Sequence, residues 1–183
     1  MIDSGAPREL AASAYNERRT QCETGLEILR KQLPHAESLR DISLAEYSAH
    51  EKQLPKIIQK RVRHVVSEIA RTVEATEFLK RNDLENFGRC MNQSHDSLRD
   101  DYEVSSLELD WLVNWSRAQA GVLGARLTGA GFGGCVIALM ETQIVEDFIA
   151  RLPSEYSAAS GRTARSWVCT AAAGATLLEQ TKN

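Results

Sequence analysis

Apolar residues recur at helical spacing through roughly the first two thirds of the chain. From Arg8 to about Leu33, Leu10, Ala14, Cys22, Leu26, Leu29 and Leu33 fall on one side and Glu17, Arg18, Glu27 and Arg30 on the other. That pattern predicts an amphipathic helix. Pro7 suits its first turn, having no N–H to leave unpaired, and Pro34 stops it. Ser43 and Glu46 have the spacing of a capping box, so a short helix is expected from Leu44 to about Gln53. Pro55 then opens a longer helix, whose stripe of Ile57, Ile58, Val62, Val65, Val66, Ile69, Val73 and Leu79 runs to Lys80. Asn82 with Glu85 repeats the capping signal ahead of a helix carrying Leu84, Phe87, Met91 and Leu98. Ser105 with Glu108 repeats it again, and a helix is expected from Ser106 to about Ala120, ended by Gly121.

After Gly121 the period changes. Val122–Thr128, Cys135–Leu139 and Ser166–Thr170 read as short strands, and Val145, Phe148, Ile149 and Leu152 place a helix from Thr142 to about Leu152. The polar tail from Glu179 is expected to fray. There is no internal repeat and no low-complexity linker. Many helices followed by short strands predict an α+β fold: several helices packed on a small antiparallel sheet, in a single domain over residues 1–183.

Composition narrows the function only by exclusion. With 43% hydrophobic and 26% charged residues, a chain of 183 residues builds one sizeable core without disulfide or metal staples. The formal net charge of −3 supplies no basic field for nucleic acid. No apolar run reaches membrane-spanning length, and MIDSGAPREL lacks the charged and apolar regions of a secretory signal. Cys22, Cys90, Cys135 and Cys169 are scattered without a C-x-x-C pair, which argues against a thiolate zinc site. It favours four buried thiols in a reducing cytoplasm.

The glycines are more informative. Six of the eleven lie between Gly121 and Gly134, and four fall within Gly129-Ala130-Gly131-Phe132-Gly133-Gly134. Glycine costs backbone entropy, so the cluster needs a reason. Two readings stay open: a concavity of bare N–H groups that receives an anion such as phosphate, or a wide hairpin loop with no ligand. Gly129, Gly131 and Gly134 formally satisfy G-x-G-x-x-G, but the flanking segments suit neither the buried strand before nor the helix after that a dinucleotide fingerprint requires. A Walker loop is excluded because no lysine occurs between Asp83 and Thr181.

Leu127-Thr-Gly-Ala-Gly-Phe-Gly-Gly-Cys135 resembles the third, C-terminal motif of the GHMP small-molecule kinases, in its galactokinase form. Three other segments are similar to galactokinase segments in the same order. They are Ser13-Ala-Tyr15-Asn16-Glu17-Arg18-Arg19 with Cys22-Glu23, then Arg61-Val-Arg63-His64-Val-Val-Ser-Glu68, then Ser94 through Ser105 with Glu108-Leu109-Asp110. The resemblance covers Asp3 to about Cys169. It implies the C-terminal lobe of a two-lobed kinase that moves the ATP γ-phosphoryl group, with magnesium, to the anomeric hydroxyl of galactose. Such chemistry depends on positioning and charge stabilisation. The family's first motif and its ATP-cradling second motif have no counterpart here, nor do its catalytic aspartate, arginine partner and magnesium ligands. The resemblance therefore implies no catalytic and no metal residue in this chain. It also implies an absent N-terminal lobe as partner, and ATP that binds weakly or not at all to this chain alone. Tyr15 carries over as a sugar-contacting tyrosine, and Gly129, Ala130, Gly131, Phe132, Gly133 and Gly134 as the lining of the cleft.

Other residues are weighed by their surroundings. Arg126 either offers positive potential to a phosphate or points outward from a strand. His64, set within an apolar stripe, reads as a satisfied core histidine. Asp100 and Asp101 near His95 read as a capped, solvated helix end, and Trp111 and Trp115, spaced i, i+4, as one packed face. Two alternatives remain: a free-standing sugar-binding or regulatory module without the chemistry, or a GHMP kinase for another monosaccharide such as N-acetylgalactosamine. A lobe without its partner is also expected to self-associate through the face holding Tyr15 or the glycine loop.

Overall fold

The computed structural model describes residues 1–7, 11–172 and 174. Its first helix, α1, is described over Ala11–Arg30 and ends ahead of Pro34; the expected start at Arg8 and the tail from Glu179 lie outside the described residues. Helix α2 spans Leu44–His50, with the capping box formed as expected. Ser43 Oγ accepts from Glu46 N at 3.2 Å, and the Glu46 carboxylate accepts from Ser43 N at 2.8 Å. A 3₁₀ turn at Glu51–Gln53 completes the expected stretch. Helix α3 follows Pro55 and spans Lys56–Lys80.

The next two caps lie one residue from their expected positions. Helix α4, Leu84–Asp100, is capped by Asp83, whose carboxylate accepts from Asn86 N at 3.1 Å, while Asn82 turns left-handed at φ 55°. Helix α5, Leu107–Arg117, is capped by Ser106 through Leu109 N, and Ser105 instead donates to Asp110 at 2.5 Å. In each case two adjacent residues can cap, and the one whose side chain reaches the N3 amide wins. Helix α5 also stops short of Ala120.

Strand β1 is Ile2–Asp3, which is too short to show alternation in the sequence. Strand β2 is Val122–Thr128 and β3 is Cys135–Met140, close to expectation. Helix α6, Val145–Ser160, continues through Pro153 to a left-handed C-cap at Gly161 with φ 68°, well past Leu152. Strand β4 is only Arg165–Ser166, although Trp167 extends the pairing by exchanging both backbone hydrogen bonds with Met1 at 2.8 and 2.9 Å. The order is β2-β3-β1-β4 with every neighbouring pair antiparallel.

Edge strand β2 is covered by α4. Asn92 Oδ1 accepts from Ala125 N at 2.9 Å and His95 Nδ1 from Leu127 N at 3.3 Å, so these edge amides meet side chains rather than another strand. The close approach depends on glycine at both contacts: a Cβ on Gly88 or on Gly124 would lie 2.3 Å from the other element's backbone.

Among the described residues, buried apolar side chains form two clusters. One joins Leu109, Leu112 and Val113 of α5 to Ala125, Leu127 and Val136 of the sheet and to Phe148, Leu152 and Tyr156 of α6. Trp111 and Trp115 stack at 6.0 Å and meet Tyr156 and Phe148, so their shared face is the α5–α6 contact. The other cluster joins Leu29, Tyr47, Ile58, Val62 and Val66 across α1, α2 and α3. The stripe on α3 outruns this cluster, and Ile57, Val73 and Leu79 are exposed. Four buried thiols were expected; only Cys90 is buried, Cys22 and Cys135 are half-buried, and Cys169 on the short β4 extension is exposed, all unpaired. Among the described residues, no helix is long and apolar enough to cross a membrane.

Candidate functional site

The site is organised by the turn that follows α4. Glu103 adopts a left-handed φ of 55°, and Val104 N returns to Leu98 O at 3.0 Å. Arginine and lysine side chains hold this turn. Arg18 of α1 donates to Tyr102 O at 2.7 Å and to Glu103 O at 3.2 Å. Arg61 of α3, only 1% exposed, donates to Gln21 Oε1 at 2.8 Å, to Asp101 O at 2.5 Å and to the Glu103 carboxylate at 2.7 Å. Lys60 reaches the other Glu103 oxygen at 2.7 Å. The hydrogen bonds of Arg61 and Lys60 hold the Glu103 carboxyl down at about 2.

The aromatic side of the turn is equally fixed. Tyr102 stacks on His64 at 4.4 Å, and the Cys22 thiol lies 3.9 Å from its hydroxyl. Burial, followed by the Cys22 thiol, pushes the Tyr102 phenol up to about 12. His64 is the satisfied core histidine expected of it: Nδ1 lies 3.0 Å from Ser97 Oγ, and burial pushes the ring down to about 4.

On this turn sits the glycine loop. It joins β2 to β3 as a hairpin loop and is tightly held. Gly129, Gly131, Phe132, Gly133 and Gly134 all take positive φ, between 57° and 104°. Phe132 N donates to Val104 O at 2.7 Å, and Ser4 N donates to Gly134 O at 2.8 Å. Gly131 lies so close to the turn that an added Cβ would stand 2.1 Å from Val104 O. Only the tip, Gly129 and Ala130, is exposed.

Tyr15 is 54% exposed on α1, one helical turn before Arg18. Residues three apart share a helix face, so the clasp that fixes the turn also fixes the position of Tyr15. The structure therefore ties Tyr15's helix and the glycine loop to one turn. Arg126 belongs to a different group. Its guanidinium lies 3.4 Å from Glu68 of α3, whose carboxylate also takes Arg71 and the Ser94 hydroxyl. Burial lowers the Arg126 pKa.

The carboxylates near His95 are each engaged. Asp100 is held by Arg99 at 2.8 Å and Asp101 by Arg63 at 3.2 Å, at the end of α4 as expected. His95 itself is fully buried against β2, with Nε2 3.2 Å from Asp110. Among the described residues, no three of His, Cys, Asp and Glu converge as a metal would require.

Sequence reasoning missed Arg18, Arg61 and Glu103. The one signal was Arg61, a charged residue inside the apolar stripe between Ile58 and Val62; a charge there must be paired or move outward. The segments that carried the resemblance supply Arg18, Arg61, Tyr102, Glu103 and the glycine loop, and in space they form one connected network.

Residues 75–158 match the family model "GHMP kinases C terminal". The chain is 46% identical over 174 residues to a galactokinase of Roseiflexus sp. (strain RS-1), covering 95% of this chain and 44% of that protein. It is 44% identical over 184 residues to a galactokinase of Exiguobacterium sibiricum, covering 98% and 46%. A crystal structure of Lactococcus lactis galactokinase complexed with galactose superposes with a TM-score of 0.86 at 40% identity, over 90% of this chain and 42% of that one. The chain thus spans less than half the length of these relatives.

Proposed function

We propose that this chain, which carries the GHMP kinase C-terminal domain and resembles galactokinases over nearly all its length, is one wall of the active-site cleft in a galactokinase-type sugar kinase. The reaction would move the γ-phosphoryl group of ATP to the anomeric oxygen of galactose, with the hydroxyl proton leaving to a base on the other lobe. The observation that carries the reading is the convergence just described. The turn Asp101–Val104 holds the glycine loop through Val104 and holds the helix of Tyr15 through Arg18.

In this reading the chain's own residues position rather than react. Tyr15 presents a hydroxyl and a ring face to the sugar. The exposed tip of the loop brings bare backbone against sugar or phosphate, where a side chain would stand in the way. Magnesium, which the family implies, finds no set of ligands among the described residues. The chemical groups and the ATP cradle belong to the other lobe, and the chain alone should not turn over. The four unpaired cysteines suit a reducing compartment, so the reading places the protein in the cytoplasm.

The test is complementation. The purified chain is assayed for galactose-dependent ADP formation alone and mixed with the separately expressed N-terminal half of the Roseiflexus relative. Turnover is expected in the mixture only. Turnover by the chain alone, or an assembled pair that consumes no ATP with galactose, would overturn the reading.

A further inference from the structure

The glycine loop has two roots. One is the end of β2, where Leu127 stands two residues before Gly129. The other is the turn at Val104, which accepts from Phe132 N at 2.7 Å. Between the two lies His95 of α4, fully buried. Its Nδ1 accepts from Leu127 N at 3.3 Å, and its Nε2 faces Asp110 Oδ1 of α5 at 3.2 Å. The same Asp110 oxygen accepts from Ser105 Oγ at 2.5 Å, and Ser105 adjoins Val104. These contacts close a circuit. It runs from Leu127 through His95, Asp110, Ser105 and Val104 to Phe132, and returns along the loop.

The partners of the ring decide where its proton sits. A neutral imidazole has one N–H and one lone pair, and the partner of one nitrogen fixes the state of the other. The Leu127 amide needs the lone pair on Nδ1, so the proton belongs on Nε2, opposite the carboxylate. The other tautomer sets N–H against N–H at Leu127 and a lone pair against Asp110, with no solvent to relieve either. Burial pushes the Asp110 carboxyl up, but the His95 ring and the Ser105 hydroxyl outweigh it and hold the group below the ordinary carboxylate range. The Nε2–H points past Asp110 Oδ1 rather than straight at it, so this link of the circuit is the loosest. Anchoring the β2 edge does not by itself require an imidazole. Asn92, three residues earlier on α4, accepts from Ala125 N at 2.9 Å with a plain amide oxygen. What the ring of His95 adds is a second polar atom directed at α5.

We propose that His95 is a positioning residue of the glycine loop: as the Nε2–H tautomer it couples the β2 root to the Val104 root and so holds the exposed tip at Gly129 and Ala130 in place. What the placed tip serves rests on the proposed function. The coupling itself does not, because it is read without sugar or ATP.

NMR spectra of the ring nitrogens in the isolated chain read the tautomer directly, with the His95 signals identified by their loss in His95→Gln. A protonated Nε2 and a bare Nδ1 are expected at neutral pH; a protonated Nδ1 overturns the proposal. Two variants then separate the contacts. Asparagine carries a polar atom at the Nδ1 position and none at Nε2, and glutamine carries one at Nε2 and none at Nδ1. Amide exchange is followed at Leu127 and Phe132, with Val62 of the other buried cluster as the reference for global opening. Leu127 should exchange within about twofold of wild type in His95→Asn and about tenfold faster in His95→Gln. Phe132 should exchange about tenfold faster in both, because either substitution opens the circuit, while Val62 is unchanged. Leu127 and Phe132 that merely track Val62 in both variants overturn the proposal, as does wild-type exchange at Phe132 in both. A second pair decides if those variants do not fold. Asp110→Leu should speed Phe132 about tenfold, and Asp110→Asn, which keeps an acceptor for Nε2 and Ser105, should restore it; equal rates in the two overturn the proposal. Complementation can fail while the tautomer and exchange results appear, or succeed without them, so the two readings fail separately.

Discussion

A pair of glycine substitutions isolates the contact that holds the loop. Gly129 and Gly131 both take positive φ, 85° and 82°. At Gly129 an added Cβ meets nothing within 4 Å, whereas at Gly131 it stands 2.1 Å from Val104 O and 2.9 Å from Val104 Cβ. The conformational cost of alanine is therefore shared, roughly 1–2 kcal/mol at each site. Only Gly131→Ala adds a clash against backbone. Relief of that clash must move the loop away from the turn, at roughly 1–3 kcal/mol for overpacking, and it endangers the Phe132–Val104 hydrogen bond, worth about 1 kcal/mol. Gly129→Ala should thus lose about 1–2 kcal/mol and Gly131→Ala about 3–6 kcal/mol, read by urea unfolding at constant m. In the complemented kinase, Gly129→Ala should act on the sugar or ATP KM through the exposed tip, while Gly131→Ala should lose kcat as well. Equal destabilisation by the two substitutions would refute the claim that Val104 sets the position of the loop.

Four further outcomes follow from the same geometry. Tyr15→Phe should leave stability within about 0.5 kcal/mol, because the residue is more than half exposed; in the complemented enzyme it should raise the galactose KM about tenfold, about 1.4 kcal/mol. Glu103→Leu should destabilise more than Arg61→Leu, because it leaves the 1%-exposed guanidinium without a countercharge, with only Gln21 and the Asp101 carbonyl as acceptors, whereas Glu103 without Arg61 keeps Lys60 and is partly solvated; chemical unfolding of both variants checks the order. His64 is neutral in the fold and is held down to about 4 by burial, so the unfolded chain binds the extra proton as pH falls from about 6.5 towards 4. Stability should fall across that window by on the order of 2–3 kcal/mol, and His64→Gln should flatten the fall measured by pH-dependent unfolding. Light scattering should show self-association of the isolated chain through the Tyr15 and loop-tip face, weakened by Tyr15→Glu; a monomer at high concentration would exclude it.

Much of the fold was legible in the chain because its helices are amphipathic and announced by caps. The boundaries slipped where two adjacent residues could cap, as at Asn82–Asp83 and Ser105–Ser106. Strands β2 and β3 could be read from their own residues; the last strand was expected at Ser166–Thr170 and lies at Arg165–Ser166, and β1 could not be read at all. Two-residue strands have no period, and they exist because β3 and Met1 supply partners 130 or more positions away in sequence. The candidate site divided in the same way. Glycines that need positive φ declare themselves locally, so the loop was visible. Arg18, Arg61 and Glu103 were not, since a charged residue on a helix reads as solvated until the turn it binds is folded beside it.

That division bears on what a resemblance can transfer. Within the matched segments, Arg61 is buried in the clasp, His64 and Tyr102 stack on one another, Glu103 is bound by two cations, and Gly131 lies against a carbonyl. These residues already spend their polar atoms or their space on each other, so in the proposed function they would shape the cleft wall and leave little for a substrate. What remains free to meet one is the rim: the Tyr15 side chain and the tip at Gly129 and Ala130. A wall that is rigid behind and bare in front suits a reaction in which positioning dominates. The likeness lies in the scaffold that ties the loop and the helix of Tyr15 to one turn.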